Sequence, residues 1–144
     1  EHELVKSLAR NKAWVKEAKG KAVKVISHLL FELPANYHYR IIFMERDLDE
    51  VLKSQHHMLV RDGKAKDDTI NIRLVNAFQQ NLQKVKDWAP KQGNIDILFV
   101  SHRNLIDNPT EELAKVSTFL GGNLNIQEMA SVVDKSLHRE KSNK

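Results

Sequence analysis

Leu4, Leu8 and Val15, with Trp14 beside them, recur at helical spacing and predict a helix ending near Gly20, with Lys16 and Lys19 at its negative C-terminal end. Residues 22–26 are rich in β-branched side chains and predict a short strand. A helical turn over residues 29–33 must stop before Pro34, because the residue before proline disfavours helix. The continuous run Ile41-Ile42-Phe43-Met44 predicts a strand covered on both faces. From Asp47 to Val60, Leu48, Val51, Leu52, Met58 and Leu59 follow a 3.6-residue period, so a helix is expected, with Asp47 as its cap and Asp49 and Glu50 at its positive end. Residues 61–68 read as polar loop.

Ile70, Leu74, Phe78, Leu82, Val85 and Trp88 form one stripe of a long helix, which Pro90 and Gly93 terminate. Ile95 to Val100 predicts another apolar strand. Asn108-Pro109 marks a helix start, with Asn108 as cap and Pro109 at the first helical position; Leu113, Val116, Phe119 and Leu120 give that helix its apolar face, and Gly121-Gly122 closes it. A last helix is expected from about Ile126 to Leu137, followed by a loose polar tail over residues 138–144. Short apolar strands alternating with helices predict an α/β fold, a parallel sheet flanked by helices. Three strands are few for such a sheet, and Glu1-His2-Glu3-Leu4-Val5 already reads as helix interior. We therefore expect one partial domain over residues 1–144, with a first strand upstream of Glu1.

Composition narrows the chemistry. The 144 residues are 41% hydrophobic and 29% charged, which argues against collagen-like, low-complexity and wholly disordered chains. With no Cys, disulfides, thiolate metal sites and thiol nucleophiles are excluded, and a reducing compartment is compatible; we expect a cytoplasmic protein. No apolar run approaches the roughly 18–20 residues of a membrane span, so no membrane partner is expected. A formal charge of +4 permits an anionic partner without naming one. The basic residues are not interleaved with aromatics, which ranks nucleic acid last among partners. No HExxH or other zinc spacing occurs, so no metal is expected.

Ligands of open parallel sheets bind beyond the carboxyl ends of the strands, where Ser27-His28, Glu45-Arg46-Asp47 and Ser101-His102-Arg103 all fall. Arg46 stands where strand gives way to helix, a place from which a guanidinium meets phosphate oxygens in pairs. Ser54 follows eight residues later, about 12 Å along a helix, and an extended Arg spans much of that distance. Both side chains could converge on one phosphate. The same spacing also fits an Arg46 that pairs with Asp49 or Glu50 on the helix surface, a contact of a few tenths of a kcal/mol. His28 is poised by its ordinary pKa to serve as a base, and it equally fits a bland His at the start of a short helix. His56-His57 cannot share a helix face, while His38 and His138 fall in expected loop and tail. The sequence names no catalytic group.

Residues 40–55, from Arg40-Ile41-Ile42-Phe43-Met44-Glu45-Arg46 to Ser54-Gln55, resemble the 3′-phosphate-binding strand and helix of sulfotransferases, in which an Arg ends the strand and a Ser follows eight residues on. Lys24-Val25-Ile26-Ser27-His28 with Leu33-Pro34 is similar to the strand before that motif. Leu98-Phe99-Val100-Ser101-His102-Arg103-Asn104-Leu105, Asp107-Asn108-Pro109 and Phe119-Leu120-Gly121 resemble the family's later strand and helix ending. The likeness covers about residues 14–122 and is strongest to bacterial sulfotransferase-like proteins. It implies a P-loop-NTPase-like fold and sulfuryl transfer from 3′-phosphoadenosine 5′-phosphosulfate (PAPS) to a hydroxyl or amine of a small-molecule or glycan acceptor. It also implies a 3′-phosphate held by Arg46 and Ser54. The family's 5′-phosphosulfate loop is not found in these residues and would lie upstream, so the 144 residues alone are expected to be inactive. Where the family's later strand usually ends in Tyr near the adenine, this chain has His102. Two other readings of the residues stand beside this one: a P-loop kinase-like nucleotide-binding fragment, and a non-enzymatic basic interaction module.

Overall fold

A computed structural model describes residues 3–47, 50–51 and 72–134. The chain divides into two compact units, the first made of Glu1–Tyr39 and Gln79–Asp96, the second of Arg40–Phe78 and Ile97–Lys144.

The first unit is built on three short 3₁₀ helices, Glu3–Ser7, Ala13–Ala18 and Ser27–Glu32, and on the second half of helix α1, Ile72–Trp88. Its core is Val5, Leu8, Trp14, Val15 and Leu29, with Val23, Val25, Leu33, Tyr37 and Tyr39 packed against them. The single opening helix expected from the sequence is thus split. Asn11 explains the break: its side-chain oxygen accepts from the Ala13 N–H at 3.1 Å. A short polar side chain that takes over a backbone donor competes with helix continuation.

The strand expected over residues 22–26 does not form. The segment has no regular structure, with Val23 and Val25 half-buried between exposed neighbours. The alternation that suggested a strand is real, but a strand exists only through a hydrogen-bonded neighbour, and the sheet among the described residues has two strands, neither of them this one. Leu33 is extended (φ −62°, ψ 132°), as the residue before Pro34 requires. Polar contacts complete the unit. Ser27 donates to Asn81 Oδ1 at 2.6 Å, Asn94 to the Tyr37 carbonyl at 2.8 Å, and Tyr39 Oη to the Pro34 carbonyl at 2.9 Å. Burial, with Tyr37 adding to it, raises the Tyr39 phenol above its ordinary pKa. Along α1 the later part of the expected stripe is present: Phe78, Leu82 and Trp88 are half-buried and Val85 is fully buried, while Ile70 and the side chain of Leu74 lie outside the described residues; Pro90 closes the helix into a 3₁₀ turn, Ala89–Lys91. Phe31 meets Trp88 edge-on, with ring centroids 4.9 Å apart.

The second unit holds most of the two-stranded parallel sheet, formed by β1 (Tyr39–Glu45) and β2 (Ile95–Ser101), with α1 on the connection between them. The order strand, helix, parallel strand makes this an α/β fold. Phe43 and Phe99 meet across the two strands, 5.3 Å between centroids. Met44 is exposed, so β1 is not covered on both faces along its whole length.

After β2 come helices α2 (His102–Asp107), α3 (Pro109–Leu120) and α4 (Ile126–Ser131). α3 starts at Pro109, as expected, and buries Leu113 and Val116; Asn108 stands at the cap position, but its side chain makes no capping hydrogen bond. Arg40 donates to the carbonyl of Leu120 at 3.1 Å and so ties the last turn of α3 to β1. α3 ends at Gly121 (φ 118°), and the Gly122 N–H returns to the Ser117 carbonyl at 2.7 Å. No atom stands within 4 Å of a Cβ placed on Gly121, so the cost of a side chain there is backbone strain alone. Gly121→Ala is expected to lower stability by ~1–2 kcal/mol, read as a lower urea midpoint at unchanged slope. Asn125 caps α4 by accepting from the Gln127 and Glu128 N–H groups. The helix stops at Ser131, short of the expected Leu137, where two β-branched residues follow and Val132 is 79% exposed. Residues 135–144, including the expected tail, lie outside the described residues.

Candidate anion-binding corner

β1 ends at Glu45, and Arg46 is the next residue. Glu50 and Val51 are helical, and the Val51 N–H donates to the Asp47 carbonyl at 3.0 Å, which puts Asp47 at the capping position read from the sequence. β2 ends in the same direction at Ser101, whose hydroxyl accepts from the Asn104 N–H at 3.2 Å and starts α2. Two parallel strands therefore present their carboxyl ends, with Arg46 after one and His102-Arg103 after the other, at the edge where ligands of such sheets bind.

Arg46 is exposed, and among the described residues none accepts its hydrogen bonds or pairs with its charge. Glu50, offered by spacing as its partner, is taken elsewhere. Its side chain is 1% exposed and receives a 2.6 Å hydrogen bond from Arg103 Nη2, whose own side chain is 33% exposed. That bond, outweighing the opposing effect of burial and aided by the charges of Glu50, Asp47 and Asp107, holds the Arg103 guanidinium above its already high ordinary pKa. A carboxylate so far from water requires such a partner. Sequence reading had assigned Glu50 to the helix dipole and missed this pair, together with helix α2 that delivers Arg103. The Ser101-x-x-Asn104 cap was the available signal.

Asp49 and Ser54 lie outside the described residues, as do His56 and His57. His28 is exposed on the 3₁₀ helix Ser27–Glu32, in the first unit, whereas Arg46 belongs to the second. His38 faces Asp96 at 3.8 Å on the surface of the first unit. His102 is half-buried in the first turn of α2. Among the described residues no group of His, Asp and Glu is arranged to hold a metal ion, and no helix is long and apolar enough to cross a membrane.

The arrangement fits an anion. An exposed guanidinium with no acceptor among the described residues follows a strand end, and the buried carboxylate of Glu50 is paired with a second guanidinium, that of Arg103. In comparison with known proteins, the family model described as sulfotransferase domain matches residues 9–144. No curated protein and no solved structure matches the chain.

Proposed function

The chain belongs to the sulfotransferase family, and from that premise we propose that it takes its sulfuryl group from PAPS, with Arg46 and Ser54 holding the donor's 3′-phosphate. The observation that carries the proposal is Arg46 itself, exposed, directly after β1 and without an internal acceptor among the described residues. Ser54 enters on its spacing from Arg46 alone. PAPS supplies the activated sulfuryl group. The part of Arg46 is to bind and orient the donor, because the 3′-phosphate lies at the end of the nucleotide away from the bond that breaks. The planar fork of Arg suits a phosphate better than the point charge of Lys, and an exposed site makes the contact sensitive to salt. The acceptor belongs to the class of small molecules or glycans that carry a hydroxyl or amine. Residues 1–144 then form one partial sulfotransferase domain with the P-loop-like architecture of the family.

The test is nucleotide selectivity in the intact protein. Adenosine 3′,5′-bisphosphate should bind more tightly than adenosine 5′-phosphate, by about tenfold or more if the 3′-phosphate makes even one charge-assisted contact. Equal affinity for the two nucleotides would overturn the 3′-phosphate site and favour a kinase-like nucleotide-binding fragment.

A further inference from the structure

We infer that Arg103 is a positioning residue for the Arg46 corner, acting through its ion pair with the buried Glu50; the inference rests on the reading of that corner given above. Glu50 follows Arg46 by four residues, and a backbone bond joins Asp47, the residue after Arg46, to Val51, the residue after Glu50. Holding the side chain of Glu50 therefore restrains Asp47 through that bond, and with it the residue next to Arg46. Arg103 fixes it at 2.6 Å. Arg103 is set in turn by the Ser101 hydroxyl, which starts α2 at the end of β2. The constraint runs from the end of one strand, through a capped helix and a buried ion pair, to the end of the other.

Bulk stability does not require such a pair. An apolar side chain in the place of a buried ion pair is often as stable or more so. What a charged hydrogen bond adds is direction. A long Arg side chain that must be ordered on binding loses rotamer freedom, and a backbone held in place beforehand lowers that cost. Arg103 is one-third exposed, so a direct contact between Arg103 and the anion is the competing role, and the two make opposite demands on Glu50. If Arg103 works through Glu50, neutralising Glu50 weakens the site. If Arg103 touches the anion directly, neutralising Glu50 releases it and binding holds or improves.

The experiment measures the ratio of affinities for adenosine 3′,5′-bisphosphate and adenosine 5′-phosphate in the intact protein and in Arg46→Ala, Arg103→Ala, Arg103→Lys and Glu50→Gln. Folding of each variant is checked by circular dichroism. Arg103→Ala is expected to lower the ratio about tenfold, less than Arg46→Ala does, because the Arg46 contact is displaced rather than removed. Arg103→Lys should recover part of it, and Glu50→Gln should lower it in the same direction. A merely structural role would leave the ratio of the folded variants unchanged, and that result, alongside a loss in Arg46→Ala, overturns the inference while the Arg46 reading stands. A ratio that falls in Arg103→Ala but holds or rises in Glu50→Gln overturns it in favour of direct contact. If the wild-type protein shows no preference for the 3′-phosphate, the Arg46 reading fails first and this inference with it. Should Arg103→Ala not fold, Arg103→Lys and Glu50→Gln carry the same test, since both retain a donor and an acceptor at the pair.

Discussion

Arg46→Ala should weaken binding of adenosine 3′,5′-bisphosphate by ~2–3 kcal/mol, about 30- to 150-fold, and leave adenosine 5′-phosphate nearly unaffected. The size follows from what is lost. A charge-assisted, two-pronged contact to phosphate is among the strongest single interactions an exposed side chain makes, and Ala offers neither charge nor donor. The wild-type side chain surrenders no internal partner when it binds, because among the described residues none holds it. Arg46→Lys should fall between the two, keeping the charge but losing the fork. The wild-type affinity should decline as salt rises, and the decline should be shallower in Arg46→Ala. Arg40→Ala is the control: Arg40 lies on the same strand, but its guanidinium donates to the Leu120 carbonyl, so this substitution should alter stability and not selectivity. Titration calorimetry with both nucleotides decides the matter. An Arg46→Ala protein with unchanged affinity removes Arg46 from the site.

Leu8→Ala is expected to give the largest loss of stability, ~2–5 kcal/mol. Leu8 is fully buried in the cluster of Val5, Trp14, Val15 and Leu29. Truncation there removes transfer energy and also leaves a cavity, and the cavity persists when the neighbours cannot close in. The 3₁₀ segments around Leu8 make that collapse difficult, because they are short and held by Asn11 and Ser7, whose side chains are already committed to backbone groups. Leu124→Ala, at a position 42% exposed, should change stability by only ~0.5 kcal/mol or less. Urea unfolding of the three proteins compares the midpoints at equal slope. A Leu8→Ala midpoint within error of wild type would mean that this cluster is not a core.

The elements that could be read from the sequence are those whose causes are local. β1 and β2 announce themselves as apolar runs. α1 ends where Pro90 and Gly93 place its end, and α3 begins at Asn108-Pro109 and stops at Gly121-Gly122. Arg46 at a strand end was legible for the same reason, since one run of hydrophobic residues fixes it. What was misread depends on partners distant in the chain or on a competing side chain. Residues 22–26 have the residue types of a strand, but pairing is decided elsewhere. Asn11 divides the opening segment through a single hydrogen bond that hydrophobic spacing does not register. Glu50 looked like a surface acid near a helix end, and its burial depends on an Arg 53 residues away, delivered by a helix too short to show a period of its own.

The placement of the two indoles has a practical consequence. Trp14 lies in the core of the first unit and Trp88 against Phe31 in the same unit, and these are the two tryptophans of the chain. Intrinsic emission on excitation near the red edge of protein absorbance therefore reports the surroundings of one unit, and the unit that carries Arg46 is silent in that signal. An unfolding curve followed by emission, laid over one followed by heat capacity, measures whether the two halves of the molecule melt as one cooperative body or in turn.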